Sequence, residues 1–298
     1  MRTSTLFTAL ILAATIAGTG AQQPAQFSPD WYAQFSGEYS QAVEPFRIVG
    51  NIYYVGARNI SSYLITDPQG HILIDTGTTA MHDVIRNNVQ QLGFSTSDIR
   101  IMLSSHAHFD HVAGHAAMKK LTGAQIMAMA GDAEALSSGK DNSALGAVGW
   151  TPVVVDRVLT DGDTVTLGGT SLRAMLTSGH TQGATTWFTA VEDKGRRYSV
   201  AILGGTTPNG GIPLINNPRH RTVIEDTQRT LTRLKAEPPP DIYLVGHPQA
   251  MFADKVDRIK TGALPHPLLN RDAWTAQIAA ADAAFQKRVA DERPVASR

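Results

Sequence analysis

Three histidines and one aspartate fall within six consecutive positions, directly after an apolar run that predicts a buried strand over residues 99–104. In an extended chain, residues two positions apart point to the same side, so His106 and His108 can converge on one point. The helix predicted to follow redirects Asp110 and His111 towards a second point close by. The alternative is a polar loop whose histidines lie on the surface, but such a loop does not account for three histidines and a carboxylate within six positions. The segment therefore predicts a metal site at the end of a strand.

A metal site needs further ligands, and His180 and His247 have the matching context, because each follows a strand-like run and is preceded by glycine. Five imidazoles and one carboxylate suit two Zn²⁺ ions, each with three protein ligands and open positions. Calcium and magnesium prefer oxygen ligands instead. The sequence contains no cysteine, which excludes thiolate ligands, a thiol nucleophile and a disulfide framework.

The rest of the chain alternates short β-rich runs with helical patterns. Apolar content and turn residues predict strands over residues 46–55, 62–66, 71–75, 99–104, 125–130, 153–158, 164–167, 171–176, 185–191, 198–203 and 241–245. Apolar stripes predict helices over residues 79–92, 112–121 and 221–235 and at the C-terminus. The two halves have a similar rhythm, and no Gly, Ser or Pro linker separates them. We therefore expect residues 22–298 to form one compact α/β sandwich.

The first 21 residues predict an export signal, because Arg2 precedes an uncharged apolar run and small residues follow at 18–21. A transmembrane anchor is the alternative, but the run falls short of the roughly 20 apolar residues that span a bilayer. The mature chain is expected to begin near Gln22 and to work outside the cytoplasm, in the periplasm where the host has two membranes.

Charge and apolar patterning bear on the partners of the chain. The 26 Lys and Arg residues balance the 26 Asp and Glu residues, which predicts no binding to nucleic acid and none to an anionic membrane surface. No apolar stripe is left over once the core is assigned. We therefore expect a monomer.

The run His106-x-His108-x-Asp110-His111 resembles the signature of the metallo-β-lactamase superfamily, and residues 73–77 resemble its upstream strand-to-turn motif. Residues 155–170 and 178–187 are similar to the class B, subclass 3 metallo-β-lactamases. The resemblance covers nearly all of the chain from about residue 46. It implies an αββα sandwich, with two mixed β-sheets flanked by helices and the active site at one sheet edge.

By the same resemblance, the first zinc is expected at His106, His108 and His180, and the second at Asp110, His111 and His247. The family hydrolyses the β-lactam amide bond with zinc-bound hydroxide, which implies a β-lactamase that confers antibiotic resistance. Two zinc ions about 3.5–4 Å apart supply hydroxide at neutral pH, and Asp110 is expected to orient the attacking water as well as to bind metal.

Three further positions have expected roles. Asp75 either closes a turn or orients a histidine ligand through its second ring nitrogen, and we favour the second role. Thr207 matches a hydroxyl that binds the substrate carboxylate. Gly205 falls where many members of the subclass carry a serine near the second zinc, so one hydrogen-bond donor is missing there.

Two other functions compete with a β-lactamase. The superfamily also contains thioester hydrolases, lactonases and phosphodiesterases, in which a carboxylate after the strand that follows the third histidine bridges the metals. Residues 202–210 contain no aspartate, which disfavours that branch. A non-catalytic zinc-binding protein is the second alternative, and it predicts a closed coordination sphere.

The remaining histidines and one long loop complete the expectations. His115 is expected on a helix surface or in a hydrogen bond and not as a seventh ligand. The loop over residues 137–150 is expected to form a mobile wall over the site. Four histidines lack any ligand context and are expected to be solvated: His71, His82, His220 and His266.

Overall fold

The computed structural model describes residues 29–293, and the predicted signal peptide over residues 1–21 lies outside them. The first of two sheets contains seven strands that lie side by side in chain order. Its first four strands are antiparallel, and the fourth to seventh are parallel. The strands are β1 (Phe46–Val49), β2 (Ile52–Tyr54), β3 (Tyr63–Asp67), β4 (Gly70–Ile74), β5 (Ile99–Leu103), β6 (Gln125–Met129) and β7 (Arg157–Leu159).

The second sheet contains five strands, in the spatial order β12-β11-β10-β9-β8. Its neighbours are antiparallel except β11 and β12, which run parallel because a long helical connection separates them in the chain. The strands are β8 (Thr164–Leu167), β9 (Thr170–Leu176), β10 (Thr185–Asp193), β11 (Arg196–Leu203) and β12 (Ile242–Val245).

Helices cover the outer face of each sheet. An apolar stripe at helical spacing explains why each long helix packs there: Met81, Ile85 and Val89 are buried on one, and Trp274 and Ile278 on another. The helices are α1 (Pro29–Tyr39), α2 (Met81–Gln91), α3 (Phe109–Val112), α4 (His115–Thr122), α5 (Ala130–Ser138), α6 (Val223–Ala236), α7 (Gln249–Phe252), α8 (Val256–Lys260) and α9 (Arg271–Glu292).

Three apolar clusters hold these layers together. One fills the space between the two sheets and includes Ile72 and Trp187. A second lies between the first sheet and α2 to α5, and a third between the second sheet and the pair α6 and α9. Trp187 is fully buried, and its Nε1 donates a hydrogen bond to the carbonyl of Ser104 at 3.0 Å, which ties the two sheets together beside the histidine cluster. This confirms the predicted sandwich of two mixed β-sheets flanked by helices.

The chain departs from the predicted elements where turns and packing intervene. The strand predicted over residues 46–55 is split at Gly50, whose left-handed φ of 53° makes the turn between β1 and β2. The helix predicted over residues 112–121 is interrupted at Gly114, where a side chain would collide with the carbonyl of Thr76. Only the end of the strand predicted over residues 153–158 joins the sheet, because Val153 packs into the cluster under the helices and pairing begins at Arg157.

Helix α1 is an element that the sequence did not predict. Its sequence is mostly polar, but one side of the helix is aromatic. The ring of Phe35 stacks on Tyr39 with a centroid distance of 3.9 Å and contacts Phe109 of α3 edge-on at 5.2 Å. These contacts place α1 beside the histidine cluster. Among the described residues, none of the helices combines the length and apolarity needed to cross a bilayer.

Candidate metal centre

The six predicted ligands lie at one edge of the sandwich because each follows the carboxyl end of a strand. The segment from His106 to His111 leaves β5, His180 follows β9, and His247 follows β12. The backbone N–H of Thr185, at the start of β10, donates to the carbonyl of Ser105 at 2.7 Å and so joins the β5 loop to the second sheet. Rigid strands thus fix the positions of loops that are far apart in the sequence.

The structure brings the six side chains together as two groups of three. The first contains His106, His108 and His180, and one donor atom from each lies within 4.8 Å of the others. The ring centroids of these three histidines are 4.4–4.9 Å apart. All three are largely enclosed by protein.

The second group contains Asp110, His111 and His247, with donor atoms again within 4.8 Å of one another. The Oδ2 atom of Asp110 lies 3.6 Å from Nε2 of His111 and 3.5 Å from Nε2 of His247. The two groups adjoin each other, because the ring centroids of His106 and His111 are 4.0 Å apart.

Hydrogen bonds on the outer side of the site fix how four of the imidazoles are protonated. Nδ1 of His180 donates to the carbonyl of Thr207 at 2.7 Å, and Nδ1 of His247 donates to the carbonyl of Asn59 at 3.0 Å. Nδ1 of His111 donates to the Asp75 carboxylate at 2.9 Å. A neutral imidazole that donates from Nδ1 carries its lone pair on Nε2. In their neutral form, each of these three rings therefore directs the lone pair of Nε2 towards the site.

The fourth imidazole, His106, follows the same logic through a serine. The hydroxyl of Ser105 donates its proton to Asp75 at 2.6 Å, so it can only accept from Nδ1 of His106, which lies 3.0 Å away. One carboxylate, Asp75, therefore orients a ring in each group, His111 directly and His106 through Ser105. The fifth imidazole, His108, is held through Nε2 by the hydroxyl of Ser143 at 3.0 Å.

Burial and mutual proximity lower the pKa of four of these imidazoles and keep them neutral, which is the form that binds metal. His111 is the exception: burial lowers its pKa, but Asp110 and Asp75 outweigh burial and raise it, so a metal bound at Nε2 would displace a proton there. Burial, with the neighbouring His108, lowers the pKa of His180 to about 3. Burial and the other rings also hold the pKa of His106 well below its usual value. Burial opposes ionisation of Asp110, but His111 and His247 lower its pKa below the ordinary carboxyl value, so it is a carboxylate at neutral pH.

The donor set fits zinc, and one atom shows it directly. Nε2 of His111 is buried and has no hydrogen-bond partner, although an orphaned buried nitrogen is costly. It points at the group that also contains Asp110 and His247. A metal ion bound there would satisfy this lone pair, and the hydrogen bonds that the rings make on their far sides match the outer contacts of ligating histidines.

Asp132 is a site residue that the sequence analysis missed. It lies at the start of α5, is fully buried, and accepts hydrogen bonds from the N–H of Ala107, the N–H of Gly183 and the hydroxyl of Thr181, each at 2.8 Å. It thereby clamps the loop of His106 and His108 to the loop of His180. Burial raises its pKa to about 6. The available sequence signal was its position just after β6, at the same edge as the other site residues.

The other histidines lie outside both groups. His115 is buried and hydrogen-bonded to the hydroxyls of Thr76 at 2.6 Å and Ser104 at 3.0 Å, so it is a buried hydrogen-bonding residue and not a surface one.

The expectation of solvated histidines is wrong for three of the four. His71, His220 and His266 are each less than 10% exposed. The ring of His71 packs against Phe94, Nε2 of His220 pairs with Asp226 at 2.9 Å, and Nε2 of His266 donates to a main-chain carbonyl at 2.9 Å. His82, on α2, is partly exposed as expected.

Both groups open into a cleft of about 1020 Å³. Leu145, from the loop predicted as a wall, lines this cleft, and Ser143 of the same loop anchors His108. Thr207 also lines the cleft. No side chain fits at position 205 unless His180 moves, because a Cβ atom there would lie 2.2 Å from Cβ and Cγ of His180.

A family model described as the metallo-β-lactamase superfamily matches residues 55–247, which include all six residues of the two groups. The chain belongs to the metallo-β-lactamase superfamily. Members of this superfamily are metal-dependent hydrolases, so the cleft with its histidine groups is the expected location of the hydrolytic site.

Several solved structures are similar over most of their length. The FEZ-1 metallo-β-lactamase of Legionella gormanii is 34% identical at a TM-score of 0.80, covering 85% of this chain and 98% of that one. The subclass B3 enzyme BJP-1 of Bradyrhizobium japonicum is 32% identical at a TM-score of 0.81, covering 87% and 98%. The class B3 di-zinc enzyme LRA-12 from an Alaskan soil metagenome is 31% identical at a TM-score of 0.77, covering 84% and 96%.

Curated sequence relatives carry a different name. A hydroxyacylglutathione hydrolase of Rhodospirillum rubrum is 24% identical over 210 residues, which is 69% of this chain and 66% of the relative. Another, of Maricaulis maris, is 30% identical over 126 residues, or 41% and 40%. The chain thus spans between 40% and 66% of the length of these relatives.

Proposed function

We propose that this protein is a zinc-dependent β-lactamase that hydrolyses the β-lactam amide bond and so confers resistance to β-lactam antibiotics. The observation that carries the proposal is the loop after β11. Gly204, Gly205 and Thr206 line the cleft there and offer no carboxylate, and the contact of Gly205 with His180 leaves no room for one. The similarity to class B3 metallo-β-lactamases over 84–87% of the chain supports the same reading.

In this proposal, His106, His108 and His180 hold one zinc ion, and Asp110, His111 and His247 hold the other. Zinc bound there would supply an activated water at neutral pH and Lewis acidity for the amide carbonyl. Asp110 is the only carboxylate among the described residues that line the cleft, so in this proposal it is the residue that orients the attacking water. Phe109, Leu145 and Leu203 line the cleft around the site and limit the access of bulk water to it.

A thioester hydrolase is the second candidate, because the curated relatives are named hydroxyacylglutathione hydrolases. The deciding experiment incubates the zinc-loaded protein with a chromogenic cephalosporin and, separately, with S-lactoylglutathione, while bound zinc is counted by mass spectrometry. We expect two zinc ions per chain and cephalosporin hydrolysis only. Hydrolysis of the thioester alone would contradict the proposal, and two bound zinc ions with neither reaction would indicate a zinc-binding protein.

Removal of the metal tests the mechanism. Chelation is expected to abolish cephalosporin hydrolysis and added zinc to restore it, whereas reagents that acylate serine β-lactamases have no effect. His247→Ala should reduce turnover by orders of magnitude, and His82→Ala, a substitution of a partly exposed histidine on α2, should leave it unchanged. Hydrolysis that persists in zinc-free protein would overturn the assignment.

From the sequence we further propose that residues 1–21 direct export and that the mature enzyme acts as a monomer in the periplasm. Detection of the cleaved chain in a periplasmic extract, with its N-terminus near Gln22, tests the first point. Light scattering of the purified mature chain tests the second.

A further inference from the structure

The cleft carries one charged side chain besides the predicted metal ligands. Among the described residues that line it, the others are apolar, glycine or neutral polar, and only Lys255 is a cation outside the two groups. Neutral polar side chains, including Gln249, Asn270 and Gln277, complete the lining on that side. A lone ammonium group in a cleft of otherwise neutral walls favours a ligand with a negative charge.

Lys255 has no partner of its own within the described part of the chain. Its ammonium group makes neither an ion pair nor a hydrogen bond there, and the residue is half-buried. Lys260, five residues later on α8, differs because it is exposed and pairs with Glu44. A partly desolvated charge is stabilised by a bound counter-charge, and the cleft is where that counter-charge can enter.

The backbone that carries Lys255 is held firmly. Its N–H donates to the carbonyl of Phe252, the last residue of α7. The ring of Phe252 packs edge-on against Phe46 at 5.1 Å and Tyr54 at 5.2 Å in the core between the sheets. The same short segment begins at His247, a member of the second group. A cation whose backbone is anchored in this way favours substrates that carry a negative charge within its reach.

We propose that Lys255 is a specificity-determining residue that binds a carboxylate of the β-lactam substrate. The inference rests on the proposed β-lactamase activity and extends it, because it assigns a second contact to the substrate away from the reacting amide. Two carboxylates can provide the contact: the one on the ring fused to the lactam, or one on the acyl side chain. Thr207 offers only a neutral hydroxyl, so the two residues differ in how they respond to salt.

The test compares the zinc-loaded wild type with Lys255→Gln on benzylpenicillin, its methyl ester and carbenicillin, which carries a second carboxylate on its side chain. A charge-assisted hydrogen bond contributes roughly 1.5–3 kcal/mol, so loss of the ammonium group should raise KM roughly ten- to hundredfold with little change in kcat. The wild-type KM should also rise with ionic strength more steeply than the KM of the variant, because exposed charges are screened.

Two controls separate charge from structure. Lys255→Arg keeps the charge and should restore most of the wild-type KM. Lys260→Gln removes a cation from the end of α8, the helix that follows Lys255, at a position outside the cleft, and should leave the KM unchanged. Equal zinc content and thermal midpoints in all variants would show that the metal groups and the fold are intact.

The outcomes assign the source of the carboxylate. A raised KM for benzylpenicillin, with no change for its methyl ester, indicates the ring carboxylate, and a raised KM for carbenicillin alone indicates the side-chain carboxylate. Unchanged KM values for all substrates in an active Lys255→Gln enzyme would overturn the role of Lys255 and leave the β-lactamase activity standing. A wild type that opens no β-lactam ring would overturn both.

Discussion

The carboxylate of Asp75 accepts a hydrogen bond from Nδ1 of His111 at 2.9 Å while its own backbone lies in the left-handed region, with φ at 61°. A non-glycine residue in this conformation is strained, and such strain persists where the surroundings demand it. At Asp75 the stabilising contacts include the N–H and the hydroxyl of Ser105, which donate to the same carboxylate at 2.7 and 2.6 Å. Asp75 is therefore the outer contact that the two predicted zinc ions share.

Asp75→Asn tests this role with little change in shape, since asparagine tolerates the left-handed conformation. The amide has a single acceptor oxygen, so its NH₂ group must face either the N–H of Ser105, which Oδ1 accepts, or the donors that share Oδ2, Nδ1 of His111 and the hydroxyl of Ser105. Loss of such an outer contact typically lowers metal affinity about 10–100-fold. We expect a weaker zinc affinity of that order, measured by titration against a fluorescent chelator. The same affinity in Asp75→Asn and wild type would mean that His111 and His106 are held by other contacts.

Asp132→Asn is expected to act on the first group through the fold. The Oδ2 atom of Asp132 accepts from Ala107 and Thr181, and Oδ1 accepts from Gly183, so an amide nitrogen at either position faces a donor. An unsatisfied buried group costs about 1–3 kcal/mol. We expect the free energy of unfolding to fall by about that amount in urea titrations, with weaker zinc binding.

The control for this substitution is Asp83→Asn on α2. Asp83 is exposed and pairs only with surface side chains, including Arg86 at 2.8 Å. Its loss should change the free energy of unfolding by less than about 1 kcal/mol. Equal effects of the two substitutions would contradict the clamp formed by Asp132.

The convergence of the six polar residues could be predicted because its causes are local. Apolar runs mark the strands, and His106, His180 and His247 each follow one, so the edge where the strands end brings them together. The metal-binding role of these residues stays a prediction, which the zinc titrations test. The loop after β11 could also be interpreted from the sequence, since a missing aspartate is visible there.

The burial of isolated side chains could not be predicted. Nothing near Asp132, His71 or His220 in the sequence shows that each is enclosed by segments far away in the chain. Helix α1 was missed for the same reason, since its apolar face becomes clear only where Phe35 meets Phe109. Periodicity shows which face of an element is buried, but it does not show which distant segment supplies a polar partner.

Gly205→Ala should disturb His180. The added methyl group would lie 2.2 Å from Cβ and Cγ of His180, atoms too close to the backbone to rotate away. We expect zinc affinity of the first group to fall at least about tenfold. Gly210→Ala is the matched control on the same loop, because nothing lies within 4 Å of its added methyl group. Unchanged zinc affinity in Gly205→Ala would show that the loop after β11 can move away from His180.

The buried His115 predicts how stability depends on pH. Burial lowers its pKa from 6.5 to about 4, so between these values the unfolded chain binds a proton that the folded chain does not. Its contribution to stability is therefore complete above about pH 6.5 and is lost as the pH falls towards 4. From the difference between these two pKa values, His115 alone should lower the free energy of unfolding by about 2 kcal/mol between pH 7.5 and pH 5.

Urea unfolding of zinc-free protein at pH 7.5 and pH 5 measures this loss, and removing zinc matters because its binding also releases protons. His115→Gln keeps a donor and an acceptor for Thr76 and Ser104 but cannot titrate. Between pH 7.5 and pH 5, the free energy of unfolding should fall in both proteins. The fall in His115→Gln should be smaller than the fall in the wild type by about 2 kcal/mol. His82→Gln should follow the wild type. An identical pH dependence in His115→Gln and wild type would mean that His115 takes up its proton without unfolding, and that its two hydroxyl partners can reorient to accommodate the charge.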